Sequence, residues 1–447
     1  VQAQLEEILA LYRELTEDEQ EQIDLSRVYK LQEALDGAND PDPVTESVAY
    51  QEADWNGTQV TYTDKIADCT LVENSTEAVT WSESWYAVSG TVTISDPITV
   101  SGEIHLILTD NCTLTAEKGI VVTAGNNLTI YAQSEDGGTL NATGTTDDSG
   151  NASAGIGGSA TSFDSGSITI HGGVINATGG GQPVYYGGAG IGGGTSSSEN
   201  GGNSGTITIY GGTITANSGE GGITGAGIGG GGSGDADGGS GSSITIYGGS
   251  VTATSHGANT SGAGIGGGVG IVNGGSGNVT IRGGIVRATG GKYGAGIGGG
   301  SGGDGKKSGD GAVTISGGTV TAVGGNSAAG IGGGGGYQYA FANITGGTGS
   351  VTISGGIVDT KGGGSGSYAG APIGNGGNAS GTATVSKDNA IVFENGTGTV
   401  CGSVVLNENY AVPAGYSLHI PAGASLSGSG TLSGGGTFTT ELSEDMI

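Results

Sequence analysis

Residues 207–216 read ITIYGGTITA and residues 226–230 read AGIGG, and these two stretches decide the fold. In the first stretch apolar and polar residues alternate with a period of two. The isoleucines before the Gly-Gly pair therefore point to one side of a strand, and Thr208 and Tyr210 point to the other. The Gly-Gly pair predicts a corner, and a second short strand follows it.

Both stretches recur along the middle of the chain, the first at spacings of 34 to 39 residues and the second between its copies, at spacings of 32 to 42 residues. Copies of the first begin at Ile168, Ile207, Ile244, Val279, Val313 and Val351. The isoleucines of the second are Ile156, Ile191, Ile228, Ile265, Ile297 and Ile331, with a degenerate copy at Ile373. Two interleaved motifs with one period indicate a single repeated unit of three strands and a variable loop.

A single unit cannot bury its apolar side chains, but stacked units can. Their strands then pair in parallel, about 4.8 Å apart, and each unit contacts only its neighbours. Because crossovers between parallel strands are right-handed, the sequence predicts an all-β, right-handed parallel β-helix, a solenoid. The predicted core columns are Ile209, Ile246, Ile281, Ile315 and Ile353, and Ile214, Val251, Val286, Val320 and Val358.

The repeats occupy only part of the chain, and we predict four regions. Residues 1–43 form a short α-helical segment, because their apolar residues recur with a period of 3.6 and prolines end the pattern. Residues 44–146 are a linker and irregular first coils. Residues 147–384 are the glycine-rich repeats, and residues 385–447 are closing coils and a tail.

Composition restricts the class of protein. Glycine supplies 103 of 447 residues, several times the usual share of roughly 7%. The net charge of −30 argues against nucleic acids and anionic membranes as partners. No apolar run is long enough to insert into a membrane. Three widely spaced cysteines show no metal-binding pattern, and pairing of Cys69 with Cys112 stays open.

The outward column after each Ile-Thr-Ile segment is the candidate ligand-binding site. Its residues in successive coils are Tyr131, His171, Tyr210, Tyr247 and Arg282. In register these side chains form one exposed ladder, and a flat aromatic row suits an extended glycan. The alternative is stacking between neighbouring strands that only stabilises the sheet.

The acidic residues do not indicate a catalytic site. Glycoside hydrolysis needs two carboxylates held together, whereas the acids of the repeats lie mostly in separate loops. Asp235 and Asp237 offer oxygen ligands for calcium, although the bidentate glutamate of a full calcium loop is absent. We expect no other cofactor and no catalytic residues.

The repeated ITIxGGxVTA and AGIGGG segments resemble glycine-rich β-helix repeats in large surface proteins of gut-type Gram-positive bacteria. The resemblance covers most of the chain. It implies secretion, an extracellular or cell-surface location, and often an association with carbohydrate, with the cell wall reached through regions outside this sequence. It supplies no catalytic motif.

The sequence therefore favours a surface adhesin or carbohydrate-binding β-helix without catalysis, whose partner is a glycan or another cell-surface ligand. One alternative is a carbohydrate-active β-helix enzyme, either a glycoside hydrolase or a polysaccharide lyase. The other is a structural spacer that has no ligand.

Overall fold

A computed structural model describes residues 45–441, except residues 135, 136, 184, 304, 305, 337, 340 and 341. The predicted helical segment 1–43 lies outside the described residues. Within them the chain is all-β, and the one helix is the short 3₁₀ turn Gly366–Tyr368. Nearly all of the described chain belongs to one unit, Ser47–Ile447.

Each coil of the solenoid contributes one strand to each of three faces. The strands of face 1 are Trp85–Val88, Glu103–Leu108, Asn127–Ala132, Ser167–Ile170, Thr206–Ile209, Gly241–Ile246, Gly277–Ile281, the first halves of Gly311–Val323 and Gly349–Lys361, and Thr384–Lys387. Those of face 2 are Thr91–Ile94, Thr113–Ala116, Thr139–Thr143, Val174–Thr178, Thr213–Asn217, Ser250–Thr254, Ile285–Thr289, the second halves of the same two long strands, and Ala390–Glu394. Those of face 3 are Val79–Trp81, Ile98–Val100, Ile120–Val121, Ile156–Gly157, Ile191–Gly192, Ile228–Gly229, Ile265–Gly266, Ile297–Gly298, Ile331–Gly332 and Ile373–Gly374.

The strands of each face pair in parallel, in the register that the repeats predict. Ile209 pairs with Ile246, and Ile281 pairs with Ile315. Both predicted core columns are fully buried along the solenoid. The parallel β-helix is therefore confirmed, and its right-handed sense stays a prediction of the crossover rule.

Face 3 explains why the repeats need glycine. Gly229 has a φ of +141°, and a Cβ atom added there would lie 1.9 Å from the carbonyl oxygen of Gly266 in the next coil. Any side chain would therefore push the coils apart, and the positive φ would add strain.

An N-terminal hairpin precedes the first coil. Its strands are β1 (Thr45–Trp55) and β2 (Val60–Leu71), which pair with each other. The Asn56 side chain closes the turn by accepting hydrogen bonds from the backbone N–H groups of Thr58 and Gln59. Beyond this pairing, β1 meets face 1 through a single antiparallel pair, Gln51 with Ala132.

The chain reverses after the last coil instead of simply closing it. Ala390–Glu394 pairs antiparallel with Thr397–Cys401, and shorter coils then stack in parallel. The further strands are Ser403–Val405, Tyr410–Val412, Ser417–Ile420, Ser425–Ser427, Leu432–Gly434 and Thr437–Thr440. These coils share a second apolar cluster with Ile357, Ile391 and Phe393.

Short accessory strands lie in the loops that connect the faces. They are Tyr186–Gly187, Ile223–Thr224 and Thr260–Ser261, which pair in parallel, and the antiparallel pair Gln338–Tyr339 and Ala342–Asn343. Cys69, Cys112 and Cys401 are all free thiols, so the bond between Cys69 and Cys112 that the sequence left open is absent. Burial raises the pKa of the Cys69 thiol to about 11.

Candidate functional site

The five predicted ladder residues do come together in one column. Neighbouring ring centroids are 4.6 Å apart for Tyr131 and His171, 5.0 Å for His171 and Tyr210, and 4.8 Å for Tyr210 and Tyr247. The Arg282 guanidinium lies 5.8 Å from the centroid of the Tyr247 ring and ends the column. We call these five residues the aromatic stack.

The rings of the aromatic stack face one another and not the solvent. Adjacent ring planes are only 6° to 10° apart, so each ring face contacts the next ring along the solenoid axis. Arg282 lies over the last face. The column therefore presents ring edges outward, and the flat platform expected from the sequence is absent.

The N-terminal hairpin also covers much of this column. Only 5% of Tyr131 and 8% of His171 is exposed, and Tyr210 and Tyr247 are half-buried. The Tyr50 ring packs against Tyr131 with centroids 4.7 Å apart. The prediction of an exposed ladder is wrong for Tyr131 and His171, because a segment outside the repeats packs against them, whereas Arg282 is exposed. Ligand binding by these residues stays a prediction.

The hairpin holds His171 by its backbone as well as by packing. The Nδ1 atom of His171 lies 2.8 Å from the carbonyl oxygen and 3.1 Å from the nitrogen of Ala53. It donates to the oxygen when it carries hydrogen and accepts from the nitrogen when it does not. Trp55 packs on Tyr247 at the far end, with centroids 5.3 Å apart.

Burial beneath the hairpin changes the proton affinity of this cluster. It lowers the pKa of His171 below 6.5, although the hydrogen bond to Ala53 and the nearby carboxylates of Glu52 and Asp54 oppose this effect. Burial likewise lowers the pKa of His105 and raises that of Tyr131. Both imidazoles therefore favour the neutral form when the hairpin is in place.

A second column, which the sequence analysis did not single out, is open. It forms a groove of about 420 Å³ at the start of the face 1 strands, crossing five successive coils. The lining residues are Ser240, Gly241, Ser242, Ser276, Gly277, Asn278, Asp310, Gly311, Ala312, Thr348, Gly349, Ser350, Thr382 and Thr384. We call this surface the polar groove.

The polar groove is built from glycine backbone and from hydroxyl, amide and carboxylate groups. Gly241, Gly277, Gly311 and Gly349 pair in register, so the residues on either side of them form two parallel rows. Four coil spacings of about 4.8 Å make the groove roughly 19 Å long. A signal was available in the sequence, because a Ser, Asp or Thr precedes each of these glycines.

Asp310 is the one carboxylate among the residues that line the polar groove. Its Oδ1 accepts hydrogen bonds from the backbone nitrogen (2.6 Å) and Oγ1 (2.7 Å) of Thr348 in the next coil, and its Oδ2 accepts one from Lys307 Nζ at 2.7 Å. Burial would raise the pKa of Asp310, but these three hydrogen bonds and the Lys307 charge outweigh it and lower the pKa. Asp310 is therefore ionised at neutral pH.

Asp237, one of the two predicted calcium ligands, contacts the next coil, and the other, Asp235, faces the solvent. Asp237 Oδ1 accepts hydrogen bonds from the backbone nitrogen (3.0 Å) and Nδ2 (2.9 Å) of Asn273 in the next coil. Asp164 and Asn203 make the same contact elsewhere, at 2.7 and 3.1 Å. Asp235 is exposed. No group of three or more His, Cys, Asp or Glu residues suited to a metal occurs in the part of the chain that the structure describes, and calcium binding stays a prediction.

A further carboxylate is half-buried where the solenoid meets the shorter coils. Asp359 Oδ2 accepts a hydrogen bond from the Tyr416 hydroxyl at 3.1 Å. Burial raises the pKa of Asp359, and burial with the Asp359 charge raises that of Tyr410 to about 12. The hydrogen bond links a face 2 strand to the shorter coils, which is a structural contact.

Comparison with known proteins identifies the repeats. A family model described as a beta helix repeat matches six segments, residues 136–160, 168–195, 207–232, 244–269, 279–301 and 313–335. No curated protein and no solved structure matches the chain. No helix among the described residues has the length and apolar character needed to cross a membrane. The six matched segments lie within the stacked coils of faces 1 to 3, and over residues 136–335 the chain is similar to beta helix repeats.

Proposed function

We propose that this protein is a non-catalytic carbohydrate-binding β-helix, secreted or displayed at a cell surface, and that it binds an extended glycan in the polar groove. The groove itself is the observation that carries this proposal, since it is long, open and lined by hydrogen-bonding groups. The surface location rests on the likeness of the repeats to those of Gram-positive surface proteins.

The chemistry of the groove favours a hydroxyl-rich ligand. Sites for drug-like or peptide ligands are lined mainly by apolar and aromatic side chains, whereas this lining has none larger than Ala312. A sugar chain both donates and accepts hydrogen bonds, as the Ser, Thr and Asn side chains do. The net charge of −30 disfavours a nucleic acid in the same place.

Binding fits the groove better than catalysis does. Glycoside hydrolases use two carboxyl groups roughly 5 to 9 Å apart, one of which has a raised pKa in its acid role. The described lining offers Asp310 alone, and its pKa is lowered. It accordingly lacks the general acid that bond cleavage requires.

Affinity electrophoresis tests this proposal. The purified protein is run in native gels that contain galactomannan, mixed-linkage β-glucan or dextran, and reducing ends are assayed in parallel. We expect retardation by at least one polysaccharide without release of reducing ends. Repeating the gels with calcium and with a chelator tests the role of Asp235 and Asp237.

Two matched variants locate the binding surface. Ala312 and Thr314 are both exposed on the same face 1 strand, but only Ala312 lines the groove. Ala312→Trp should abolish retardation, because the indole fills the groove, and Thr314→Trp should leave it unchanged. Equal retardation of both variants, or no retardation of the wild-type protein, would overturn the proposal. Release of reducing ends would favour the alternative that the protein is a carbohydrate-active enzyme.

A further inference from the structure

Asp310 is the one charged residue that lines the polar groove, and it forms an ion pair with Lys307, which lies outside the lining. The lysine nitrogen lies 2.7 Å from Asp310 Oδ2, and each side chain is a little under half exposed. The other lining residues are Ser, Thr, Asn, Ala and Gly. Any discrimination by charge within the groove must therefore come from this pair.

Asp310 and Lys307 can each form further hydrogen bonds beyond those already described. A carboxylate offers about four acceptor positions and an ammonium group offers three donors. Asp310 uses three positions, two on Thr348 and one on Lys307. As far as the described residues go, one acceptor position of Asp310 and two donors of Lys307 remain for a ligand, on groups 2.7 Å apart.

An adjacent acceptor and donor match two neighbouring hydroxyl groups on a sugar ring. One hydroxyl donates to the carboxylate, and its neighbour accepts from the ammonium group. Hydrogen bonds to ionised groups are roughly twice as strong as those between neutral groups, so this pair would dominate the recognition of an otherwise neutral surface.

We propose that Asp310 and Lys307 together are the specificity centre of the polar groove, and that they select a neutral glycan with adjacent free hydroxyls and reject polyuronates. This inference rests on the proposed function. A uronate carboxylate cannot donate to Asp310, and a polyanion is further repelled by a protein with a net charge of −30.

Asp310 also links two coils, and this structural role needs its own control. Asp164 makes the same kind of contact, because its Oδ1 accepts two hydrogen bonds from Asn203 in the next coil. Asp164 does not line the groove. Asp164→Asn therefore weakens a contact between coils of the same kind without changing the groove.

The experiment is affinity electrophoresis of four proteins in galactomannan, mixed-linkage β-glucan, dextran, polygalacturonate and alginate. We expect the wild-type protein and Asp164→Asn to bind a neutral polysaccharide equally and neither polyuronate. Asp310→Asn and Lys307→Met should each weaken that binding about tenfold or more, the loss expected for a hydrogen bond to a charged group. Thermal melts should show that all four proteins are folded at the temperature of the gels.

The possible failures are distinguishable. No wild-type binding to any neutral polysaccharide overturns the proposed function itself. A second failure is that Ala312→Trp abolishes binding but Asp310→Asn and Lys307→Met leave it intact. This result would overturn the specificity centre and would still support the groove as the binding surface. Tighter binding of a polyuronate than of any neutral chain likewise overturns the specificity centre.

Discussion

The aromatic stack and the polar groove are both outward columns of side chains, repeated coil after coil, yet one is covered and the other is open. The stack consists of large rings, and the hairpin takes Tyr131 and His171 almost wholly out of water. The groove consists of small polar groups that water solvates well. The difference indicates that the size and polarity of an outward column decide its role. Large apolar rings are stabilised by a protein segment that covers them, whereas small polar groups are stabilised by water and stay open to a ligand.

The same comparison explains where the hairpin is attached. Tyr50 and Tyr131 belong to an apolar cluster that also contains Val48, Cys69 and Ile107. The hairpin has few backbone pairs to the coils, so this cluster and the stack supply most of its attachment. Changes in the stack should therefore affect stability, and changes in the groove should affect binding.

The largest expected effect is that of truncating the centre of the stack. Tyr131→Ala removes a buried ring that contacts both Tyr50 and His171, and should cost about 3–5 kcal/mol, as other buried aromatic truncations do. The loss should appear as a lower melting temperature and faster amide hydrogen exchange throughout residues 45–71.

Tyr185→Ala is the matched control, because 52% of Tyr185 is exposed. It should change the free energy of unfolding by no more than about 0.5 kcal/mol. If Tyr131→Ala proved equally mild, or left exchange in the hairpin unchanged, the stack would not be the attachment of the hairpin.

Lowering the pH should have a smaller effect on the docking of the hairpin. Burial lowers the pKa of His171 and of His105 below 6.5 when the hairpin is docked, so below pH 6.5 the undocked state binds more protons. Docking is then at full strength above pH 6.5 and weakens as the pH falls, by at most about 1.4 kcal/mol per pH unit for each histidine. Fluorescence of Trp55 and Trp85 between pH 8 and pH 5 measures this.

Two histidine variants test the assignment of this pH dependence. His171→Phe keeps a ring in the stack and removes one titrating group, so the slope should fall. His256 is exposed, and His256→Ala should leave the slope unchanged. A slope that survives His171→Phe in full would assign the pH dependence to other groups.

The register of the solenoid could be predicted from its sequence because each repeat contacts only its neighbours. The alternation around Ile209 determines which side chains point inward, and the Gly-Gly pairs determine where the chain turns from face 1 to face 2. The order of the stack, from Tyr131 to Arg282, followed from the same register. These features depend on local patterns that recur every coil.

The cover over the stack could not be predicted, because no periodic pattern connects it to the repeats. Ala53 and His171 are 118 residues apart in the chain. The hairpin resembles any pair of adjacent strands in sequence, and its docking depends on shape. The polar groove was missed for another reason: serine and threonine are abundant throughout the chain, and only the structure distinguishes an open row from loop residues.

The smallest expected effect on stability belongs to the groove. Ser276 and Ser350 are exposed lining residues, and replacing either with alanine removes a hydroxyl that solvent can replace. Each variant should change the free energy of unfolding by no more than about 0.5 kcal/mol in chemical denaturation, while it weakens glycan retardation. Tyr131→Ala should instead lower the free energy of unfolding and leave glycan retardation unchanged. The two sets of variants therefore separate packing from binding. A serine variant as destabilising as Tyr131→Ala would mean that the groove also holds the coils together.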